Sequence, residues 1–249
     1  MYGLGFAPLP PWMIIEELNE EKNRFLGMAA HDVRNDVFTA TLISRLLGQT
    51  KEGLSEFQIR LVDRLDAVLK SMLDLIDGFL DVARIEAGKL DIHPEPTDLI
   101  SLLDDRISVA RFFGDEAGVR IFRSGISGPA TANVDPKRIN QALNNLLVNA
   151  IKFSPQGAEV ELAVREEGEK YVIDVMDEGP GIPSQQAQRL FSPFTTLGEP
   201  GAKGKSGTGL GLHIARRLIE AHGGSIAFRP RNPRGSVFSI ALPKLAPPQ

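Results

Sequence analysis

The run Gly207-Thr208-Gly209-Leu210-Gly211-Leu212 sets glycines at alternate positions ahead of an apolar helical pattern. Glycine turns let backbone amides approach phosphate, and the free amides of a helix start favour negative charge. Upstream lies Asp177-Glu178-Gly179-Pro180-Gly181, and upstream again Asn144-Asn145-Leu146-Leu147-Val148-Asn149-Ala150-Ile151-Lys152-Phe153. Each segment alone is a modest signal. In this order they describe a nucleotide pocket, with a metal-binding Asn, a base-reading Asp and phosphate-binding turns. Far ahead stands His31-Asp32-Val33-Arg34-Asn35, a histidine flanked by charge. The chain thus offers a phosphate donor site and a phosphate acceptor site.

Different elements must carry the two. Trp12 to Gly88 contains no proline and little glycine. Leu18, Phe25, Ala29, Val33, Val37, Ala40 and Leu47 recur at helical spacing, as do Leu61, Leu65, Val68, Met72, Ile76, Phe79 and Ala83. Gly48 to Gly53 reads as the turn between them. One helix cannot cover the other completely, so two hairpins should pair as a homodimeric four-helix bundle. Residues 12–90 are therefore expected to form a helical hairpin, after an extended, proline-rich leader over 1–11. Pro94 and Pro96 mark 91–98 as a linker. From 99 to 249 helix and strand patterns mix. Asp98 to Phe113 reads as helix, and Asp135-Pro136 as a capped helix start. Strands are expected at Gly118–Arg123, Thr131–Val134, Glu159–Glu166, Tyr171–Met176, Ser225–Phe228 and Ser236–Ala241, with a helix over Gly209–Ala221.

The 249 residues are 42% hydrophobic and 24% charged, which indicates a globular chain. A formal net charge of −4 argues against nucleic acid as the main partner. The absence of cysteine excludes disulfides, thiolate nucleophiles and cysteine-bound zinc. No apolar run approaches the ~20 residues that cross a bilayer, and the start is not a secretory signal. The expected location is the cytoplasm. No folded sensor domain fits before Trp12, so input is expected from a separate sensor protein unless the chain is part of a longer one.

With its four boxes in order, the region from Glu20 to Lys244 resembles the GHKL ATP-binding fold, and more closely the sensor histidine kinases. The resemblance implies an α+β chain: a long helical hairpin (dimeric four-helix bundle) followed by a two-layer α/β sandwich of the GHKL ATPase type. It implies ATP and Mg2+. Asn145 and Asn149, at i and i+4, share a helix face. Asn149 matches the magnesium-ligating position, Asn145 lies near the phosphates, and Lys152 matches a position facing the nucleotide. Asparagine is a poor helix former, so three within six residues call for a reason. Asp177 matches the carboxylate that accepts from the adenine amino group, which discriminates against guanine. Gly179 and Gly181 turn the backbone beneath the base. Phe191-Ser192-Pro193-Phe194 matches the phenylalanine box, with Phe194 assigned to the nucleotide site. Thr195 to Ser206 reads as a lid, in which Lys203 and Lys205 are read as solvated loop charges. Gly207, Thr208, Gly209, Leu210 and Gly211 form the phosphate-binding turn.

His31 falls two residues from both Ala29 and Val33, about 200° around a helix from each, which directs it to solvent. A neutral imidazole nitrogen is a competent phosphoryl acceptor. Asp32 would orient the ring or take its proton, and Asn35, one turn on, would orient water for the reverse hydrolysis. One residue departs from the family pattern: Asp36 stands where proline is usual, so a straighter helix is expected. The resemblance thus implies a kinase that autophosphorylates His31 and passes the phosphoryl group to an aspartate of a response-regulator receiver domain, with phosphatase action as a further activity. The alternative, suggested by Asp36 alone, is an inactive ATP-binding scaffold. A chaperone-type or topoisomerase-type ATPase is disfavoured, because no Glu lies between Pro136 and Pro155 to activate water. His93, His213 and His222 show no metal-ligand spacing and are read as surface or packing residues.

Overall fold

A computed structural model describes residues 30, 33–44, 46–48, 54–86, 90–196 and 208–245. The chain divides into two units, with the boundary between Leu90 and Asp91.

The first unit holds helix α1 (33–44, continued at 46–48) and helix α2 (Glu56–Glu86). Helix α1 runs unbroken through Asp36. Ser55 and Gln58 form a reciprocal cap ahead of α2, in which the Ser55 N–H donates to Gln58 Oε1 (2.8 Å) and the Gln58 N–H to Ser55 Oγ (3.3 Å). The helices are antiparallel. Arg34 Nη2 lies 3.4 Å from Asp77, whereas a Cβ on Gly48 would lie 3.7 Å from Val62 Cγ1. Val37, Thr41 and Ser44 are buried on α1, and Leu69, Val82, Ala83 and Ile85 on α2. The expected stripes are covered only in part within the single chain. Val37 and Ala83 are buried, but Val33, Leu47, Leu61, Leu65, Val68 and Met72 are exposed in the single chain. One neighbouring helix can cover only one side, and both helices are apolar on more than one.

The second unit is a two-layer α/β sandwich. Its main sheet has the order β2-β4-β5-β7-β6, with β2 (Arg120–Gly125), β4 (Glu159–Glu167), β5 (Lys170–Met176), β6 (Ser225–Pro230) and β7 (Ser236–Pro243). Strands β2 and β4 are parallel and the remaining pairs antiparallel. Helices α3 (Leu99–Ala117), α4 (Pro136–Phe153) and α6 (Gly211–Ala221) bury Leu103, Ile139, Leu143, Leu146, Leu218 and Ile219 in the layer facing Val160, Leu162, Ile173 and Ile240 of the sheet. A short α5 spans Ser184–Ala187. Strand β5 does not alternate in burial as expected for a one-sided strand. Asp174 on its other face is buried as well, held by Arg165 Nη1 at 3.2 Å and Arg229 Nη2 at 3.6 Å.

The segment 91–98 is not a linker throughout. Glu95–Asp98 is strand β1, paired antiparallel with β3 (Thr131–Val134). Its prolines prevent a helix but suit a two-stranded edge, where a missing N–H can face solvent. Asp98 ends β1 and caps α3, accepting from Ile100 N (3.1 Å) and Ser101 Oγ (2.8 Å). No helix among the described residues is long and apolar enough to cross a membrane.

Candidate nucleotide site

Helix α4 is the spine of the site, and its start is anchored. At its start, Asp135 Oδ1 accepts from the Lys137 and Arg138 amides at 3.0 and 3.1 Å, and Oδ2 from the His93 amide at 3.0 Å. Burial works against the charged carboxyl. The His93, Arg138 and Lys137 N–H groups and the Arg138 charge outweigh it, and Asp135 stays below the usual carboxylate range. The Asp135 amide donates to His222 Nε2 (3.0 Å), and His222 Nδ1 lies 2.7 Å from the Leu218 carbonyl. Those two partners define the neutral tautomer with the proton on Nδ1. His222, read from sequence as a surface or packing residue, ties the end of α6 to the start of α4.

Along one side of α4 the structure brings two loops to the helix. A Cβ on Gly211, at the start of α6, would sit 3.6 Å from Asn145 Oδ1. Two turns further on, a Cβ on Gly179 would sit 3.0 Å from the Phe153 carbonyl and 2.9 Å from Asp177 Oδ1. Asn145 and Phe153 are eight residues apart, about 12 Å along the axis, with Asn149 midway. Asn145 and Asn149 are half-buried, and neither side chain has a hydrogen-bond partner among the described residues. Their carbonyl oxygens are thus open to a ligand. A neutral oxygen of this kind fits a hard divalent ion held mainly by phosphate. Lys152 Nζ lies 5.1 Å from the centre of the Phe153 ring.

Asp177 is buried in the loop after β5. Its Oδ1 accepts from the Gly179 amide (2.8 Å) and the Ser236 amide (3.2 Å), and no backbone N–H bond to Oδ2 is found among the described residues. Burial pushes the carboxyl up. The Gly179 and Ser236 N–H groups, the Ser236 side chain and the Arg231 charge offset this only in part. Gly235 must be glycine here. Its φ is +115°, and an added Cβ would overlap the Asp177 carbonyl.

On the phosphate side, Gly209 has φ +71°, and a Cβ there would meet the Phe194 carbonyl carbon and the Thr195 nitrogen at 2.6 Å. The residues flanking 197–207 therefore touch. Phe194 is exposed and adopts φ 58°. Phe191 is fixed to α6 by His213, whose Nδ1 lies 2.9 Å from its carbonyl, and by Arg216 stacked 5.7 Å from its ring centre. Leu210 contributes its side chain to the core, and its amide donates to Thr208 Oγ1 (3.3 Å).

Two family models match. Residues 134–246 match the histidine kinase-, DNA gyrase B- and HSP90-like ATPase model, and residues 21–88 match the His Kinase A phospho-acceptor domain. The chain belongs to the sensor histidine kinases. Among curated relatives, it is 33% identical over 234 residues to the virulence sensor protein BvgS of Bordetella bronchiseptica, covering 90% of this chain and 18% of the relative. To the sensor histidine kinase RcsC of Escherichia coli it is 33% identical over 232 residues, covering 92% and 24%. The chain thus spans less than a third of the length of these two. A crystal structure of full-length ShkA in complex with AMPPNP superimposes with a TM-score of 0.75 at 27% identity, covering 91% of this chain and 47% of that one.

In this sensor histidine kinase the fold gathers Asn145, Asn149, Lys152, Gly179 and Gly211 along α4, with Asp177 in the same loop as Gly179. Gly181 (φ +76°) packs against the β6–β7 turn, where a Cβ would lie 3.2 Å from the Gly235 carbonyl. His31, Asp32 and Gly207 lie outside the described residues, as do Lys203, Lys205 and the leader 1–11. Asn35 is exposed on α1, and its carbonyl accepts from Thr39 Oγ1 (2.9 Å). Sequence reasoning missed Gly235, Ser236 and the arginines beside them. Ser236 was visible as a strand start, but nothing local says that this start abuts Asp177.

Proposed function

We propose that this chain is an ATP-dependent protein-histidine kinase that phosphorylates His31 and passes the phosphoryl group to an aspartate of a response-regulator receiver domain. The observation that carries the reading is the approach of Gly211 and Gly179 to one side of α4, at Asn145 and Phe153, positions about 12 Å apart along its axis with Asn149 between them. That is a cradle for a nucleotide with its base at Asp177 and its phosphates at the start of α6. The AMPPNP complex of the similar ShkA chain supports the same choice of ligand.

In this reading Asp177 Oδ2 accepts from the adenine amino group while Oδ1 is held by the protein. Asn145 and the Gly207–Gly211 amides bind the phosphate chain, helped by the α6 dipole. Asn149 supplies a carbonyl ligand to magnesium, which when bound neutralises phosphate charge. A neutral ring nitrogen of His31 attacks the γ-phosphorus. The N–P bond forms, the bond to the β,γ-bridging oxygen breaks, and ADP leaves. Asp32 holds the other ring nitrogen and takes its proton. The receiver aspartate then attacks the phosphohistidine and regenerates imidazole. Asn35 serves the reverse direction by orienting water, as phosphatase action would require. The exposed apolar side of the hairpin, with Leu61, Leu65, Val68 and Met72, supports a homodimer through a four-helix bundle.

Phosphotransfer profiling tests the reading. Protein labelled from γ-labelled ATP is mixed with a panel of purified receiver domains. Rapid movement of label to one or a few of them is expected, and a chain that takes label but donates to no receiver would refute the transfer step.

A further inference from the structure

The β6–β7 turn is built against the Asp177 loop at several points. The Asp177 amide donates to the Ser236 carbonyl (3.0 Å), and the Ser236 amide returns a bond to Asp177 Oδ1 (3.2 Å). Gly235 packs on the Asp177 carbonyl, and Gly181 faces the Gly235 carbonyl. The turn also closes on itself, with the Arg231 amide donating to the Gly235 carbonyl at 3.1 Å. From this turn Arg234 reaches across and donates through Nε to the Gly179 carbonyl at 3.0 Å.

Gly179 is consequently held on both sides. Its N–H is bonded to Asp177 Oδ1 at 2.8 Å and its carbonyl to Arg234. These bonds fix the peptide planes either side of the residue that turns the loop. They also determine which carboxylate oxygen is occupied by backbone and which faces the ligand. Cutting one of them leaves the loop covalently intact but free to rotate about Gly179, whose missing Cβ permits many conformations.

We propose that Arg234 is a positioning residue for nucleotide binding: its bond to the Gly179 carbonyl locks the base-reading loop to the β6–β7 turn, so that loop and turn act as one preformed unit. The proposal rests on the reading of Asp177 as the adenine acceptor. Arg234 does not touch the reacting atoms. Its contribution is to hold the loop ready before nucleotide arrives, which raises affinity without new contacts.

The test compares wild type, Arg234→Ala, Arg234→Gln and Asp177→Asn as full chains. ADP affinity is measured by calorimetry, kcat and KM(ATP) by autophosphorylation, and protection of the Gly179 and Gly181 amides by hydrogen exchange. Because Arg234 acts through the loop and makes no ligand contact, its effect should be smaller than that of a direct contact: a rise in Kd and KM of about three- to tenfold for Arg234→Ala, with kcat within about twofold. The Gly179 and Gly181 amides should exchange faster, and Arg234→Gln, which retains a side-chain N–H, should recover part of both effects. If Arg234→Ala binds ADP like wild type while Asp177→Asn fails to, the proposal is overturned and the adenine reading stands. If Asp177→Asn binds ADP like wild type, the adenine reading fails and the proposal with it. Loss of melting temperature and kcat together, without rescue by Gln, would make Arg234 merely structural and overturn the proposal too.

Discussion

Replacing Asp177 by Asn keeps the shape of the side chain and inverts one of its hydrogen-bonding atoms. In the native loop Oδ1 is committed to the Gly179 and Ser236 amides at 2.8 and 3.2 Å. An Asn would keep its oxygen there, because two donors converge on that position. Its amide nitrogen then replaces Oδ2 and presents N–H to the adenine amino group, donor against donor. The loss is one hydrogen bond to a charged acceptor, about 1.5–3 kcal/mol, or roughly tenfold to a hundredfold in ADP affinity. GDP should lose nothing and gain modestly, because guanine carries a carbonyl at the corresponding atom. Stability should not suffer, since burial already disfavours the charged carboxyl. Titration calorimetry with ADP and GDP on both proteins, with a melting curve as fold control, decides the matter. An Asp177→Asn protein with unchanged ADP affinity and unchanged ADP/GDP preference would refute the assignment of Asp177 to the base.

Gly235→Ala should place a methyl group against the Asp177 carbonyl in a backbone conformation that L-residues rarely adopt, at a cost of about 1–3 kcal/mol or more, with ADP binding lost by calorimetry. His222→Ala removes partners from the Asp135 amide and the Leu218 carbonyl. At about 1–3 kcal/mol per buried group left unpaired, the catalytic unit should melt several degrees lower by differential scanning calorimetry. Asp98 is held below its usual range first by the Ser101 hydroxyl and then by the Ala130 N–H, opposed by burial. Its folded value is depressed, so its stabilisation is present above the unfolded value and lost as pH falls through the folded one. Asp98→Ala should cost about 1–2 kcal/mol at neutral pH and show a smaller loss of stability on acidification in urea titrations. Asp177 has the opposite sign. The folded state binds its proton more tightly, so stability falls as pH rises from the ordinary carboxylate range through the raised value. ADP affinity should weaken on acidification before an ordinary carboxylate would titrate.

The parts of the fold legible in sequence are those specified by local chemistry. Asp135-Pro136 announces α4 because an acceptor cap and a fixed φ suit a helix start, and the Asp135 side chain bonds there as expected. The strands expected at Glu159–Glu166 and Tyr171–Met176 were legible from their alternation and are found at Glu159–Glu167 and Lys170–Met176. Strand β1 was not, because Pro94 and Pro96 carry the signature of a break, and only pairing with Thr131–Val134 reveals the edge. How much of each hairpin stripe is covered within one chain was not legible, because periodicity gives helical spacing but not which partner packs where. In the site, Asp177, Asn145 and Asn149 were visible as unusual residues at set spacings. Gly235, Ser236 and Arg234 were not, since their contacts with the Asp177 loop link positions more than fifty residues apart.

The central claim is that ATP held by the α4 cradle phosphorylates His31. Incubation with γ-labelled ATP and magnesium, followed by acid and alkali treatment and by quantification of bound label, addresses it directly. Wild-type protein should take up acid-labile, alkali-stable label. His31→Gln should take up none while binding ADP as tightly as wild type. Undiminished label on His31→Gln, or no label on a wild-type protein that binds ATP, would contradict the account.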